Sequence, residues 1–174
     1  MGTESQTFTK VQAQIIKDTW ELYKKDSAGN GLIFFSKIFE LEPEMRDFFP
    51  FTQDHSLPLE KNYKLKAHAL LLFKLTGDAG VALGEKGTIQ QLHPKVMDLG
   101  KKHVGFGVIL DHFIVVKTAL LYTINTAVSK FWSPDQTEAA VNAWSLAYDE
   151  LVRVMQEEME ATRKAAAVAL ETED

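Results

Sequence analysis

The chain contains no cysteine. Disulfides, thiolate catalysis and cysteine-built zinc or iron–sulfur sites are therefore excluded. So is any cofactor held through a thioether, whether a bilin or a haem on a Cys-x-x-Cys-His motif. No apolar run approaches the roughly 18 residues that a membrane-spanning helix needs. The N-terminus shows no hydrophobic signal core. Met1-Gly2 opens like a myristoylation site, but Gln6 stands where Ser or Thr is required. The net charge is −5 and no long basic block occurs. That argues against a nucleic-acid partner, because phosphate contacts need a concentrated cationic face. With neither membrane nor nucleic acid indicated, the expected compartment is the cytoplasm, with the nucleus as a second.

Familiar catalytic signatures are missing too. There is no Gly-x-Ser-x-Gly elbow, no phosphate-binding P-loop and no Gly-x-Gly-x-x-Gly turn. The His-Glu-x-x-His pattern of zinc proteases is absent. So are the Glu-x-x-His pairs of a carboxylate-bridged di-iron bundle. What is present is an ordinary globular mix of 45% apolar and 25% charged residues in a chain of 174. That length supports one domain with a sizeable core. Eleven residues are Phe, which suggests a core with large flat walls.

Hydrophobic spacing follows the helical period throughout, and no alternating strand pattern appears. Thr9 with Gln12 reads as a capping box for a helix to about Lys25, with Val11, Ile15, Ile16, Leu22, Trp20 and Tyr23 toward the interior. Asp26-Ser27 starts the next helix. Its apolar half, Gly31–Leu41, stops at Pro43 or gives way there to a short tight helix. Phe48, Phe49, Pro50 and Phe51 then crowd into a corner. A long helix is expected from about Leu59, with Leu65, His68, Leu72, Leu75 and Ala79 in one inward stripe. Gly84, Gly87 and Thr88 break it. His93-Pro94 opens a short helix that ends at Gly105 and Gly107. Another helix runs from about Ile109 to Phe131. Ser133-Pro134 with Gln136 caps the last one, which persists past Thr162. The expected architecture is a single all-α domain of six to eight helices. Residues 1–8 form a flexible N-terminus, 9–163 the domain, and 164–174 a helical extension with an acidic tail.

Two histidines stand apart from the other three. His103 lies in Val96–Val108, with Leu99 one turn before it and a Gly-rich exit after it. His68 lies thirty-five residues upstream in an apolar stripe. Either one alone reads as an ordinary core histidine. Together, on separate helices and with a Phe-rich corner nearby, they match the needs of a haem: a proximal imidazole, flat apolar walls and a polar group opposite. Lys61, Lys64 and Lys66 precede His68, and Lys61 or Lys64 is placed to meet an anionic group at a cleft mouth. His55, His93 and His112 read as structural or solvated, with His112 at a helix start where it suits an interface.

Longer motifs carry a resemblance. They are Leu32-Ile-Phe-Phe-Ser-Lys-Ile-Phe-Glu-Leu-Glu-Pro43, Pro58-Leu-Glu-Lys-Asn-Tyr-Lys-Leu-Lys-Ala-His68-Ala and Leu99-Gly-Lys-Lys-His103. Phe131-Trp-Ser-Pro134 and Ala143-Trp-Ser-Leu-Ala-Tyr-Asp-Glu-Leu151 complete the set. From about Phe8 to Met159 the chain resembles a globin, and closely the non-symbiotic plant haemoglobins (phytoglobins). The resemblance implies the globin fold around haem b (iron protoporphyrin IX). It makes His103 the proximal iron ligand and His68 the distal histidine, catalytic and itself able to bind the iron. Phe49 becomes the corner Phe that stacks on the porphyrin, Phe35 the bulky distal residue and Leu99 the leucine beneath the haem. Leu72 stands over the distal pocket, where Val is usual in many relatives. Lys64 and Val108 complete the cofactor-binding set. His103 is expected to donate its other ring N–H to a backbone carbonyl.

The implied mechanism requires His68 to leave the iron before O2 enters, so apparent affinity is the intrinsic affinity scaled by the open fraction. The implied activity is that of an oxidoreductase acting on O2, NO and nitrite: nitric oxide to nitrate, and nitrite to nitric oxide at low oxygen. Both reactions leave ferric haem, so the electrons come from a separate reductase. The alternative is a reversible oxygen storage or transport globin with a five-coordinate iron, since the same fold and histidines serve both. The family's homodimer contact uses the corner after Pro43 and the helix start at Phe113. Glu44 and Ile114 here replace its small polar and acidic residues, so a homodimer is not implied by those positions.

Overall fold

The structure, a computed structural model, describes residues 8–171. Residues 1–7 and 172–174 lie outside it, and with them most of the expected flexible N-terminus and acidic tail. Six α-helices and four short 3₁₀ segments make up the described chain. Helix α1 spans Lys10–Lys24 and α2 Ser27–Leu41. Helix α3 spans Tyr63–Lys86, α4 His93–Gly105, α5 Leu110–Val128 and α6 Pro134–Glu171. No strand occurs among the described residues. No single helix is long and apolar enough to cross a membrane.

Side chains begin these helices as their chemistry requires. Thr9 Oγ1 accepts the Gln12 N–H at 3.1 Å and Gln12 Oε1 accepts the Thr9 N–H at 2.7 Å. Two orphan donors at the helix start are thus satisfied reciprocally. Ser133 and Gln136 repeat the arrangement before α6, at 3.3 and 3.0 Å. Asp26 caps α2 by accepting the Gly29 N–H at 2.9 Å. Pro43 opens a 3₁₀ segment, Pro43–Phe48, rather than ending helical structure outright.

Three boundaries depart from the sequence reading. The helix expected from Leu59 begins at Tyr63, because Leu59–Lys61 is a separate 3₁₀ turn and Asn62 is the true cap. Gly84 does not break α3, which runs on to a left-handed cap at Gly87 with φ 69°. A Cβ on Gly84 would stand 2.4 Å from the Ala13 Cβ and 2.6 Å from the Thr9 carbonyl oxygen. The glycine is there so that α1 can cross α3 closely. Finally, α6 continues through the expected helical extension and into the acidic tail as far as Glu171, and the rest of that tail lies outside the described residues.

The packing follows from the inward stripes. Helix α6 lies against α1, α3, α4 and α5, and α2 packs between α3 and α5. Trp144, Tyr23, Phe34, Phe73 and Ile16 are fully buried at the centre. Trp144 donates its indole N–H to Thr19 Oγ1 at 2.7 Å, so the buried ring brings its polar atom in satisfied. Val11, expected inside, is 70% exposed, whereas Ile16 and Tyr23 of the same expected set are in the core; α1 is rotated so that its first turn faces outward at Val11. Gly84→Ala is expected to lower stability by about 1–3 kcal/mol through overpacking. The check is a lower urea midpoint at unchanged slope; an unchanged midpoint would mean that α1 yields without cost.

Candidate functional site

Helices α3 and α4 each rest on α6 but share no extensive contact with one another. His68 is carried by α3 and His103 by α4, across the gap between the two helices. His103 is half-buried near the end of α4, and its Nδ1 lies 2.6 Å from the Leu99 carbonyl oxygen. A carbonyl only accepts, so Nδ1 carries the proton. Nε2 is then left as a lone-pair donor in a fixed orientation. Gly107, with φ 74°, turns the chain sharply after the helix. The Val108 N–H consequently folds back onto the His103 carbonyl at 3.1 Å. Phe113 closes one side of the imidazole, with ring centroids 5.7 Å apart.

His68 is held differently. The sequence stripe placed it on an inward face, but its side chain is accessible from the gap rather than sealed in the core. Leu65 and Leu75 of the same stripe are buried, and Leu72 is half-buried. Three aromatic rings surround the His68 imidazole: Phe51 at 5.4 Å, Phe49 at 5.8 Å and Phe35 at 6.1 Å between centroids. Burial pushes its pKa below the ordinary histidine value, and a charge on His103 pushes it in the same direction. A neutral ring, with one N–H and one lone pair, is thereby favoured.

The corner that carries Phe49 and Phe51 has no helical ladder of its own beyond short 3₁₀ turns. Side chains hold it. Thr52, 2% exposed, donates its hydroxyl to the carbonyls of Arg46 at 2.6 Å and Phe49 at 2.9 Å. Phe49 packs edge-on against Phe35 at 5.1 Å. Behind the corner, Phe48 rests on His112 at 4.3 Å. His112 Nδ1 accepts the Ile109 N–H at 3.2 Å, so this histidine caps α5 and braces the corner. His55 is exposed and His93 half-buried at the α4 start.

Phe35, Phe49 and Phe51 gather around His68, and the Leu99 carbonyl and Phe113 lie against His103, while Leu72 and Val108 are half-buried. Lys64 is exposed one turn before His68 and forms no ion pair among the described residues; Lys66 instead donates to the Glu60 carbonyl at 2.6 Å. Phe51, the ring nearest His68, was visible in sequence only as one of three corner Phe residues. Among the described residues no group of three or more His, Cys, Asp or Glu side chains converges to hold a metal ion. Two imidazoles on separate helices, one ringed by aromatic side chains and one fixed by its own helix, suit a metal whose other ligands come from a flat apolar macrocycle.

Comparison with known proteins agrees with that reading. The globin family model matches residues 32–155, and the chain belongs to the globin family. Globins bind haem, and the residues just described fit that group. The nearer relatives are plant non-symbiotic haemoglobins. An anaerobic nitrite reductase of Physcomitrium patens is 43% identical over 160 residues, covering 92% of this chain and 87% of the relative. One from Gossypium hirsutum is 40% identical over 163 residues, covering 94% and 98%. Among solved structures, a globin of Drosophila melanogaster superposes with a TM-score of 0.67 at 20% identity, covering 90% and 94%. A bacterial globin of Campylobacter jejuni gives 0.59 at 23% identity, covering 91% and 99%. At those identities the superpositions speak to the fold alone.

Thr52→Val keeps the side-chain shape but removes the hydroxyl, leaving the Arg46 and Phe49 carbonyls only the backbone N–H groups of Phe49 and Thr52. The expected loss is about 1–2 kcal/mol, read as a lower thermal or urea midpoint. No loss would mean that ring packing alone holds the corner.

Proposed function

We propose that this chain is a six-coordinate haem b globin that works on nitrogen oxides. The observation that carries the reading is the asymmetric pair of imidazoles. His103 is locked by the Leu99 carbonyl with Nε2 free. His68 is accessible, kept neutral and bounded by three rings. The names of the Physcomitrium patens and Gossypium hirsutum relatives support nitrite as a substrate.

His103 Nε2 would hold the iron permanently, and Leu99, Val108, Phe49 and Leu72 would pack against the macrocycle. Lys64 is free to meet its anionic edge. Haem b supplies the electron chemistry: nitrite, one electron and two protons give nitric oxide and water, while nitric oxide, dioxygen and one electron give nitrate. His68 Nε2 serves two purposes in turn. Its lone pair would hold the metal at rest; after swinging away, with the proton moved from Nδ1 to Nε2 through solvent, the ring in its other tautomer would offer an N–H to an incoming ligand. Phe35, fully buried on α2, limits that swing. The electrons come from a separate reductase, since the sequence carries no nucleotide-binding glycine turn.

The test is the visible spectrum of the dithionite-reduced protein with and without CO. Sharp split bands that CO replaces are expected, with His68→Leu giving one broad band while keeping haem. His103→Ala is expected to release haem on gel filtration. A broad band in the unaltered protein would leave His103 alone on the iron and favour a reversible oxygen carrier. The nitrite reading is tested separately, by nitric oxide release from nitrite under anaerobic reduction, faster by about tenfold in His68→Leu if His68 release limits the rate. No nitric oxide from either protein would remove the nitrite reading.

A further inference from the structure

We propose that Asn62 is a positioning residue that sets how readily His68 leaves the sixth position, acting through Phe51. The proposal rests on the reading of His68 given above and concerns a residue that takes no part in binding the cofactor. Asn62 is 3% exposed and lies where the corner meets α3. Its side chain makes two hydrogen bonds in opposite directions. Oδ1 accepts the Leu65 N–H at 3.1 Å and so caps α3. Nδ2 donates to the Phe51 carbonyl at 2.6 Å, eleven residues earlier. One buried amide thus ties the backbone of Phe51 to the first turn of the helix that carries His68, with Leu65 and His68 on the same face.

The barriers around His68 are unequal. Phe35 is fully buried and backed by Phe34 at 5.1 Å, so it cannot give way. Phe51 is the nearest ring, is half-buried, and sits on a 3₁₀ turn of only three residues. Among the described residues, the bond from Asn62 is the one side-chain hydrogen bond to the Phe51 backbone. Any outward swing of His68 that displaces Phe51 therefore strains the Asn62–Phe51 bond. With the bond intact, Phe51 holds the imidazole in; with it broken, the corner yields and the imidazole leaves faster.

Asn62→Asp separates the two roles. The carboxylate keeps the acceptor that caps α3, but it replaces the donor and sets an oxygen against the Phe51 carbonyl. Flash photolysis of the CO complex of the reduced holoprotein reads His68 release as the slow phase of CO recombination. The expected result is a release rate about threefold to tenfold faster, the effect of losing roughly one hydrogen bond. Phe51→Leu, which leaves the backbone tether intact, is expected to accelerate release similarly. Combining it with Asn62→Asp should add little, since both act through one ring. In a His68→Leu background, Asn62→Asp should leave CO recombination unchanged. Release rates in both variants within a factor of 1.5 of the unaltered protein (about the precision of such fits) would overturn the proposal. So would an Asn62→Asp effect that persists without His68. A slow phase absent from the unaltered protein would instead refute the six-coordinate reading itself.

Discussion

The width of the gap between α3 and α4 is set by how closely each lies on α6. On the α3 side, a Cβ at Gly80 would stand 3.1 Å from the Ala147 Cβ and 3.1 Å from Ile16. On the α4 side, a Cβ at Gly100 would stand 3.0 Å from the Met155 carbonyl oxygen. Each helix is therefore seated on α6 at near backbone contact, at points eight residues apart on α6. Interiors packed at crystal-like density do not slide, so these two seats fix the separation of everything the helices carry. Gly100 lies three residues before His103, and the seat governs that imidazole almost directly. The helices that bear the two histidines are thus held by a third helix and not by each other.

Within that frame the two imidazoles receive opposite treatment. His103 spends one nitrogen on a carbonyl of its own helix, a local bond that costs little to form and fixes both tautomer and direction. His68 has no such bond among the described residues; packing and a depressed pKa keep it neutral, and rings alone restrain it. Under the proposed function, a locked ligand and a restrained one would give a centre with a permanent and an exchangeable side. In such a centre the restraint is a functional quantity, because it scales the apparent affinity for any outside ligand.

The restraint is built from unlike parts. Phe35 belongs to the buried core of α2 and is part of an aromatic chain through Phe34 and Phe73 to Tyr23. Phe49 and Phe51 belong to a corner held by Thr52 and Asn62 side chains. Helical ladders are stiff because every residue repeats the same bond, whereas a corner held by single side-chain bonds opens at one of them. Mobility around His68 is thereby assigned to the corner and withheld from the core.

Local chemistry was readable from the residues alone. Thr9 with Gln12 and Ser133 with Gln136 form their capping boxes because each needs only neighbours three residues apart. The inward stripes of α5 and α6 were legible for the same reason: a 3.6-residue period places side chains without reference to the rest of the fold. The candidate histidines were legible as residue types in apolar settings, and the long motifs carried the globin resemblance. What the residues alone left unread was decided across the fold. Gly84 looks like a helix breaker until α1 is found crossing it. Val11 looks like core until the rotation of α1 is known. Asn62 looks like a loop residue until its amide is found on the Phe51 carbonyl. Spacing along a chain determines which faces a helix offers. Which face is used, how closely helices approach, and which buried amide meets which carbonyl depend on partners far away in sequence, and only packing chooses among them.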